Sequence, residues 1–158
     1  MLEFNGQVVL VTGAGSPKGI GRTIAQTFGK QGATVVICDI NQAGLDANVA
    51  EMKAMGIEAA GYAANLCDED SVNELVNTVV EKYGRIDVLV NNAGVSQKVT
   101  VADMTLDDMK RIFNVNMFGL FLITKAVCEV MKKQKYGRIV HLSSVCGKPS
   151  PTPILTCI

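Results

Sequence analysis

An apolar run that leads directly into a glycine-rich loop constrains the fold of this chain more than any other feature. Residues 8–21 read VVLVTGAGSPKGIG. Val8 to Val11 are aliphatic and predict a fully buried strand, and a helical pattern begins at Ile20. Glycine allows the loop between them to turn tightly and to approach a ligand. Because the start of a helix presents free N–H groups and a positive dipole end, this segment predicts a phosphate-binding β–α turn.

The glycine spacing fits one phosphate-loop pattern and misses another. The residue three positions after Gly15 is Lys18, so the strict G-x-G-x-x-G pattern fails. Gly15, Gly19 and Gly21 instead match G-x-x-x-G-x-G. Thr12 and Gly13 then lie two residues further upstream than usual, as if Pro17 and Lys18 were two additional residues of the loop. Taken alone, the loop is also compatible with an ordinary glycine-rich turn.

An acidic residue follows the second predicted strand. Thr34 to Cys38 predict a buried strand that leads into Asp39. A carboxylate at this place accepts hydrogen bonds from the adenosine ribose hydroxyls and repels a 2′-phosphate, which favours NAD over NADP. The alternative is that Asp39 caps the next helix. Lys18, a cation in the loop, could serve a phosphate, but we give Asp39 more weight because it would lie at the 2′ position.

Charge and hydropathy exclude several classes of protein. The 158 residues include 15 basic and 15 acidic side chains, which leaves no net charge and no basic surface for a nucleic acid. No apolar segment is expected to reach the roughly 18 residues of a membrane span, and Met1 to Gly6 lacks the features of a signal peptide. We therefore expect a cytoplasmic protein with no membrane partner.

Cysteine and histidine positions predict no metal site. The five cysteines form no C-x-x-C pair and lie in no metal-ligand spacing with the single histidine, His141. We expect reduced thiols, with Cys38 and Cys128 packed as small hydrophobic side chains. We expect His141 to be a packed or hydrogen-bonded structural residue.

Strands and helices alternate along the chain at intervals typical of a parallel sheet. The predicted strands after the second are Ala59 to Ala63, Asp87 to Val90 and Arg138 to Leu142. The predicted helices are 19–31, one through Leu45, Val49 and Met52, one opened by Asp68 and closed by Gly84, and a long one from Thr105 to about Lys133. Thr105 with Asp108 predicts a capping box. This alternation predicts a parallel α/β sheet covered by helices.

Polar residues interrupt the apolar pattern at two places late in the chain. Asn114 and Asn116 stand within the apolar run of the long helix, where a buried amide is costly unless it makes a specific hydrogen bond. Ser143 and Ser144 follow strand five. Because ligands bind outside the carboxyl ends of the strands in open α/β sheets, we expect these serines to face the ligand crevice.

Five motifs occur together in one order along the chain. They are Thr12-Gly13 through Gly19-Ile20-Gly21, then Asp39, then Asn65-Leu66, then Asn91-Asn92-Ala93-Gly94, then Asn114-Val115-Asn116 followed by Ser143-Ser144. In these motifs the chain resembles the first part of a short-chain dehydrogenase/reductase. The resemblance covers nearly the whole sequence. It implies a Rossmann-type sheet of strand order 3-2-1-4-5 with helices on both faces, without the last strands and the substrate lobe.

The resemblance implies a role for each matching residue. The pyrophosphate would be held by the glycine loop, comprising Gly13, Gly15, Ser16, Lys18, Gly19, Ile20 and Gly21. Asp39 and Ile40 would bind the adenosine ribose, and Asn65 and Leu66 the adenine edge, with the carbonyl of Asn65 accepting from the adenine amino group. Asn92, Ala93 and Gly94 would line the cofactor, and Asn91 would tie strand four to its neighbours. Asn116 would support a helix distortion and a proton relay, and Ser144 would bind the substrate carbonyl.

The chemistry of the family also uses a tyrosine and a lysine that this sequence does not show. The tyrosine is expected about 13 residues after the serine, where this chain has Cys157, and the lysine would come four residues later, after the last residue, Ile158. Tyr136 is no substitute because it precedes strand five. We therefore expect a truncated NAD-dependent oxidoreductase acting on an alcohol or ketone, without turnover as this chain alone. A non-catalytic NAD-binding module that pairs with a full-length relative, and a fragment without function, are the alternatives.

Two regions are predicted along the chain. Residues 1–147 would form an incomplete dinucleotide-binding domain, and residues 148–158, with Pro149, Pro151 and Pro153, a mobile tail. Strand five would be an uncovered edge of the sheet. The helix over residues 106–133 is a candidate surface for a homo-oligomer. The resemblance does not select among alcohols and ketones as substrates.

Overall fold

Strand β1 (Val8–Thr12) lies at the centre of a five-stranded parallel sheet. This computed structural model describes residues 3–97 and 99–144. All five residues of β1 are buried because helices cover both faces of the sheet, and four of the five are aliphatic. It pairs with β2 (Thr34–Asp39) on one side and with β4 (Val88–Asn91) on the other. With β3 (Ala59–Ala63) beside β2 and β5 (Arg138–His141) beside β4, the order is β3-β2-β1-β4-β5, which confirms the predicted fold class.

Helices cover both faces of the sheet. The helices α1 (Ile20–Lys30) and α2 (Gln42–Ala54) pack on one face, and α3 (Glu69–Tyr83) and the later helix α5 (Leu120–Gln134) pack on the other. Alternate residues of the strands point to opposite faces, so β1 contributes Val9 and Val11 to one core and Leu10 to the other. Because every strand pairing is parallel, the carboxyl ends of all five strands lie at one edge of the sheet.

The predicted helix ends are confirmed. The Asp68 side chain accepts hydrogen bonds from the N–H groups of Asp70 and Ser71 at the start of α3, and Gly84 ends that helix in the left-handed conformation. Thr105 and Asp108 form the predicted capping box at the start of α4 (Leu106–Phe113). Local side-chain chemistry therefore decides where these helices begin and end.

The predicted long helix is not continuous. A π-helical segment, Asn114–Gly119, separates α4 from α5. Of the two asparagines in the apolar run, Asn114 is exposed and Asn116 is half-buried. A π turn inserts an extra residue into the helix and so changes the face that each following side chain presents.

The expectation that no apolar segment reaches membrane-spanning length is also wrong. Within the described part of the chain, the helical segment Leu106–Gln134 is long enough and apolar enough to span a bilayer. The core helix of a globular protein meets the same test. Ile123, Val127 and Met131 of this segment are buried against the sheet, so one apolar face of the helix serves the core.

Some predictions concern residues beyond those that the structure describes. The tail 148–158, the boundary at residue 147, and the residues Cys146 and Cys157 all fall in that part and stay predictions. Among the described residues, Cys38 is buried, Cys128 is half-buried and Cys67 is exposed.

Replacing Asp108 with Asn is expected to make the stability of the chain less dependent on pH. Hydrogen bonds from the side chain and the backbone N–H of Thr105 hold the pKa of Asp108 below its ordinary value of 3.8. A carboxylate whose pKa is lowered by folding stabilises the fold above its unfolded pKa and loses that effect as pH falls through the folded pKa. Tm measured between pH 7 and pH 2 should show an advantage of the parent chain over Asp108→Asn near neutrality that shrinks below about pH 4. Asp107→Asn, at a neighbouring and highly exposed carboxylate, is the control, and an equal pH profile for both variants would contradict the assignment.

Candidate functional site

The glycine loop packs directly against the segment after β4. Gly13 has a φ of +66°, and a Cβ there would lie 2.6 Å from the Cα of Ala93. Only glycine fits both the left-handed conformation and this close approach. The loop after β1 and the loop after β4 therefore form one wall.

Thr12 and Asn92 join these two loops by hydrogen bonds. The Thr12 hydroxyl oxygen accepts from the N–H groups of Asn92, at 3.1 Å, and Ala93, at 3.0 Å. In return, the Asn92 amide donates to the carbonyl oxygens of Thr12 and Gly13, each at 2.9 Å. The structure thus gives Asn92 a loop-joining contact, and its place beside a ligand stays a prediction. The sequence analysis placed Thr12 in the first motif but assigned it no role, although a hydroxyl between a buried strand and a glycine was a signal.

The Asp39 carboxylate bonds to the glycine loop. One of its oxygens accepts the N–H of Gly15 at 2.8 Å and the other accepts the N–H of Asn41 at 3.1 Å. A Cβ at position 15 would lie 2.7 Å from the Asp39 carboxyl carbon, so glycine is required for this contact. The alternative that Asp39 caps α2 is wrong, because the cap is Asn41, whose side chain accepts the N–H of Gly44. Each carboxylate oxygen keeps a further lone pair for a ligand.

A cavity of about 420 Å³ lies beside Asp39 and brings together most of the predicted cofactor residues. Those that line it are Gly13, Ser16, Ile20, Asp39, Ile40, Asn65, Leu66, Asn92, Ala93 and Gly94. Gly15, Lys18, Gly19 and Gly21 are not among its lining residues, and Lys18 is exposed. Cys67 and Val115 also line this cavity, although the sequence analysis assigned them no role there.

Asn65 makes a local turn at the edge of this cavity. Its side-chain carbonyl accepts the N–H of Cys67 at 3.1 Å, and its own N–H donates to the Ser71 hydroxyl at 3.0 Å. A contact of that carbonyl with an adenine amino group would therefore use its second lone pair.

A second cavity of about 640 Å³ continues from the first toward β5. The two share lining residues, which are Ile20, Asn92, Ala93, Gly94 and Val95. The second cavity also includes Asn116, His141, Ser143 and Ser144, so the predicted catalytic pair lines the same space. Ser143 and Ser144 face the crevice as the end of a parallel strand predicts.

Asn116 is bound by the backbone of the segment after β4. Its side-chain oxygen accepts the N–H of Val95 at 2.8 Å, and its amide donates to the Val95 carbonyl at 2.9 Å. This paired contact connects the π-helical segment to the loop that lines both cavities. It gives Asn116 a specific hydrogen-bond partner, which a polar side chain within an apolar run needs if it is not to destabilise the helix.

Asn91 and His141 connect the ends of β4 and β5. The Asn91 amide donates to the Thr124 hydroxyl at 2.9 Å and to Nδ1 of His141 at 3.0 Å. The expectation that Asn91 ties strand four to its neighbours agrees with these bonds. His141 is hydrogen-bonded, as predicted, but its ring is exposed at the second cavity.

Burial separates the two cysteines that line the first cavity. Burial, and then the nearby Asp39 charge, raises the pKa of the Cys38 thiol to about 12. Partial burial also raises the pKa of Cys67, which is nevertheless exposed. Within residues 3–97 and 99–144, no group of three His, Cys, Asp or Glu side chains is placed to hold a metal ion.

The chain is similar to proteins of one large family. A family model described as short chain dehydrogenase matches residues 7–154. A 3-oxoacyl-(acyl-carrier-protein) reductase of Thermotoga maritima is 42% identical over 92% of this chain and 58% of its own length. A reductase of the same name from Synechocystis sp. is 42% identical over 93% of this chain and 59% of its own length. This chain therefore spans less than two thirds of the length of either relative.

A solved structure shares the fold closely. The crystal structure of an NAD⁺-bound xylitol dehydrogenase superposes with a TM-score of 0.90 at 36% identity. The match covers 97% of this chain and 58% of that protein. The similarity extends across the sheet and the helices that form both cavities.

Thiol labelling of the folded chain at pH 8 is expected to modify Cys67 and to leave Cys38 unmodified. A maleimide reacts with thiolate, and Cys38 is both inaccessible and almost fully protonated at that pH. Peptide mass spectrometry after a short pulse measures each site separately. Unfolding in denaturant before the pulse is the control and should make the two rates similar. Equal labelling of Cys38 and Cys67 in the folded chain would contradict the described packing.

Proposed function

The chain belongs to the short chain dehydrogenase family, and we propose that its two joined cavities bind NAD for hydride exchange with an alcohol or a ketone. The observation that carries the proposal is the Asp39 carboxylate, held by the Gly15 N–H at the end of β2 and lining the first cavity. Two glycines, Gly13 and Gly15, let the loop pack against Ala93 and Asp39, where a Cβ would collide. The Asp39 carboxylate and the glycine loop together suit a dinucleotide.

The first cavity would hold the adenosine half. Asp39 would accept hydrogen bonds from the ribose hydroxyls, while Ile40 and Leu66 supply apolar contacts and Asn65 a polar edge. Ser16 and Ile20 would adjoin the pyrophosphate at the start of α1, together with the rest of the loop. The negative charge of Asp39 would repel a 2′-phosphate, which supports NAD over NADP. The NAD⁺-bound state of the similar xylitol dehydrogenase supports the same preference.

The second cavity would hold the reacting half. When bound there, the nicotinamide ring gives or takes the hydride. Ser144 would donate a hydrogen bond to the substrate oxygen. Asn116, bound to Val95, would hold the distorted helix and a water that carries a proton. These roles come from the family resemblance, and the shared cavity of the two side chains supports them.

We also propose that this chain by itself binds NAD without turnover. Position 157, where the family has its proton-donating tyrosine, is Cys157. Tyr62, Tyr83 and Tyr136, the three tyrosines of the sequence, line neither cavity. A binding module that pairs with a longer relative is therefore the second candidate function.

A homo-oligomer and a cytoplasmic location complete the proposal. Phe118 and Phe121 are 58% and 59% exposed within the 106–133 segment, which supports a contact between copies of this helix. The buried face of α5 packs on the sheet, which supports a globular protein over a membrane span.

Replacing Asp39 with Ala is expected to weaken NADH binding and to narrow the preference for NADH over NADPH. The variant loses the ribose acceptor and the charge that repels a 2′-phosphate. Titrations followed by cofactor fluorescence give both dissociation constants, and we expect a loss for NADH of about tenfold, or about 1.4 kcal/mol. Asp46→Ala removes the same charge from an exposed site on α2 and should change neither constant. A parent chain that binds no NADH up to millimolar concentration would overturn the proposed function.

Turnover is tested on the same protein with NAD⁺ and a panel of alcohols, and with NADH and the matching ketones. We expect no change in absorbance at 340 nm beyond the cofactor blank. Steady oxidation or reduction would instead show that the residues present suffice for chemistry and would contradict the binding-module candidate.

A further inference from the structure

Asn48 is a buried amide on the apolar face of α2. It follows Leu45 by three residues and precedes Met52 by four, so it occupies the helical stripe that faces the core. Only 2% of its surface is exposed. A polar side chain at such a position destabilises the fold unless it is hydrogen-bonded, so its partners identify its role.

The partners of Asn48 are two carbonyl groups of the glycine loop. Its amide donates to the Ala14 carbonyl at 2.7 Å and to the Ser16 carbonyl at 3.3 Å. These carbonyls stand on either side of Gly15, whose N–H donates to Asp39. The Asn48 amide thus engages the acceptors of the loop, while the Asp39 carboxylate engages a donor between them.

The loop lies tightly against α2. A Cβ at Gly44 would collide with the Gly15 carbonyl oxygen, so glycine in the first turn of α2 permits the approach. An ion pair between Arg22 and Glu51 joins α1 to α2. The loop is therefore held between the start of α1 and the side of α2.

Carbonyl orientation matters for a loop that binds a phosphate. Carbonyl oxygens carry partial negative charge and repel an anion, whereas N–H groups attract it. Ser16, whose carbonyl bonds to Asn48, also lines the first cavity. It directly precedes Pro17 and Lys18, the two additional residues of the loop. The hydrogen bond from Asn48 to the Ser16 carbonyl therefore holds the loop directly before its two additional residues.

We infer that Asn48 is a positioning residue for the phosphate half of the site. By holding the Ala14 and Ser16 carbonyls against α2, it keeps them away from a bound pyrophosphate and sets the conformation of the loop. This inference rests on the proposed function, because it assigns a structural cause to the binding of the pyrophosphate. Adenosine contacts at Asp39, Asn65 and Leu66 are separate from the two bonds that Asn48 makes.

The test compares Asn48→Ala with Gln42→Ala. Gln42 also carries a side-chain amide on α2, but it is exposed and donates to Asp46 of the same helix, so its substitution controls for the loss of an amide from α2. Dissociation constants for ADP-ribose and for adenosine are obtained by displacement of NADH, and Tm is recorded for every variant. We expect Asn48→Ala to weaken ADP-ribose binding about tenfold, to leave adenosine binding unchanged, and to lower Tm. Gln42→Ala should change neither dissociation constant and should lower Tm by less.

A second variant keeps the test decisive if Asn48→Ala does not fold. Asn48→Ser retains a hydroxyl donor and more of the side chain than alanine does. Asn48→Ser should also weaken ADP-ribose binding and leave adenosine binding unchanged, with a smaller loss of ADP-ribose affinity than Asn48→Ala.

The outcomes separate the inference from the proposed function. A selective loss for ADP-ribose supports the positioning role, because a general loss of structure would weaken both ligands. Equal losses for both ligands, or a lower Tm with unchanged affinities, overturn the inference while NADH binding by the parent chain upholds the proposed function. A parent chain that does not bind NADH overturns both.

Discussion

The contact between the ends of β1 and β4 organises the rest of the site. The Thr12 hydroxyl oxygen accepts the Asn92 backbone N–H, and the Asn92 side chain donates to the Thr12 carbonyl. Gly13 lies so close to Ala93 that no other residue would fit. Because β1 is the central strand and pairs directly with β4, these groups meet at the carboxyl edge of the sheet. Both cavities open from this contact, and they share the residues on the β4 side of it.

Polar side chains elsewhere extend this arrangement outward. Asp39 binds the loop from β2, and Asn116 binds the backbone of Val95 from the π-helical segment. On the other side of the loop, Asn48 engages two carbonyls from α2. Each of these residues interrupts or ends an apolar pattern, and each hydrogen-bonds to backbone groups. The loops are therefore shaped by backbone contacts with rigid elements, which suits a site that must present N–H groups to a ligand.

Local patterns predicted most of the fold. The alternation of apolar runs and stripes identified five strands and the helices between them, and the caps at Asp68, Gly84 and Thr105 were confirmed because they depend on neighbouring residues only. The bounds of the π-helical segment were not predicted from local patterns, and Asn116 within it bonds to Val95, which lies 21 residues away. The membrane-length helix was missed because its polar asparagines interrupt the apolar run.

The sequence by itself determined the parallel α/β class and the glycine-rich turn after β1, and its motif order pointed to the family. These properties follow from short-range periodicity, glycine spacing and the residues at strand ends. Only the tertiary structure decided that Asn41 caps α2 while Asp39 bonds to Gly15, and that the two cavities join. It also decided that Asn48 reaches the glycine loop, across 34 residues of sequence. Hydrogen bonds between distant segments have no periodic signature, so they become visible only when the sheet brings those segments together.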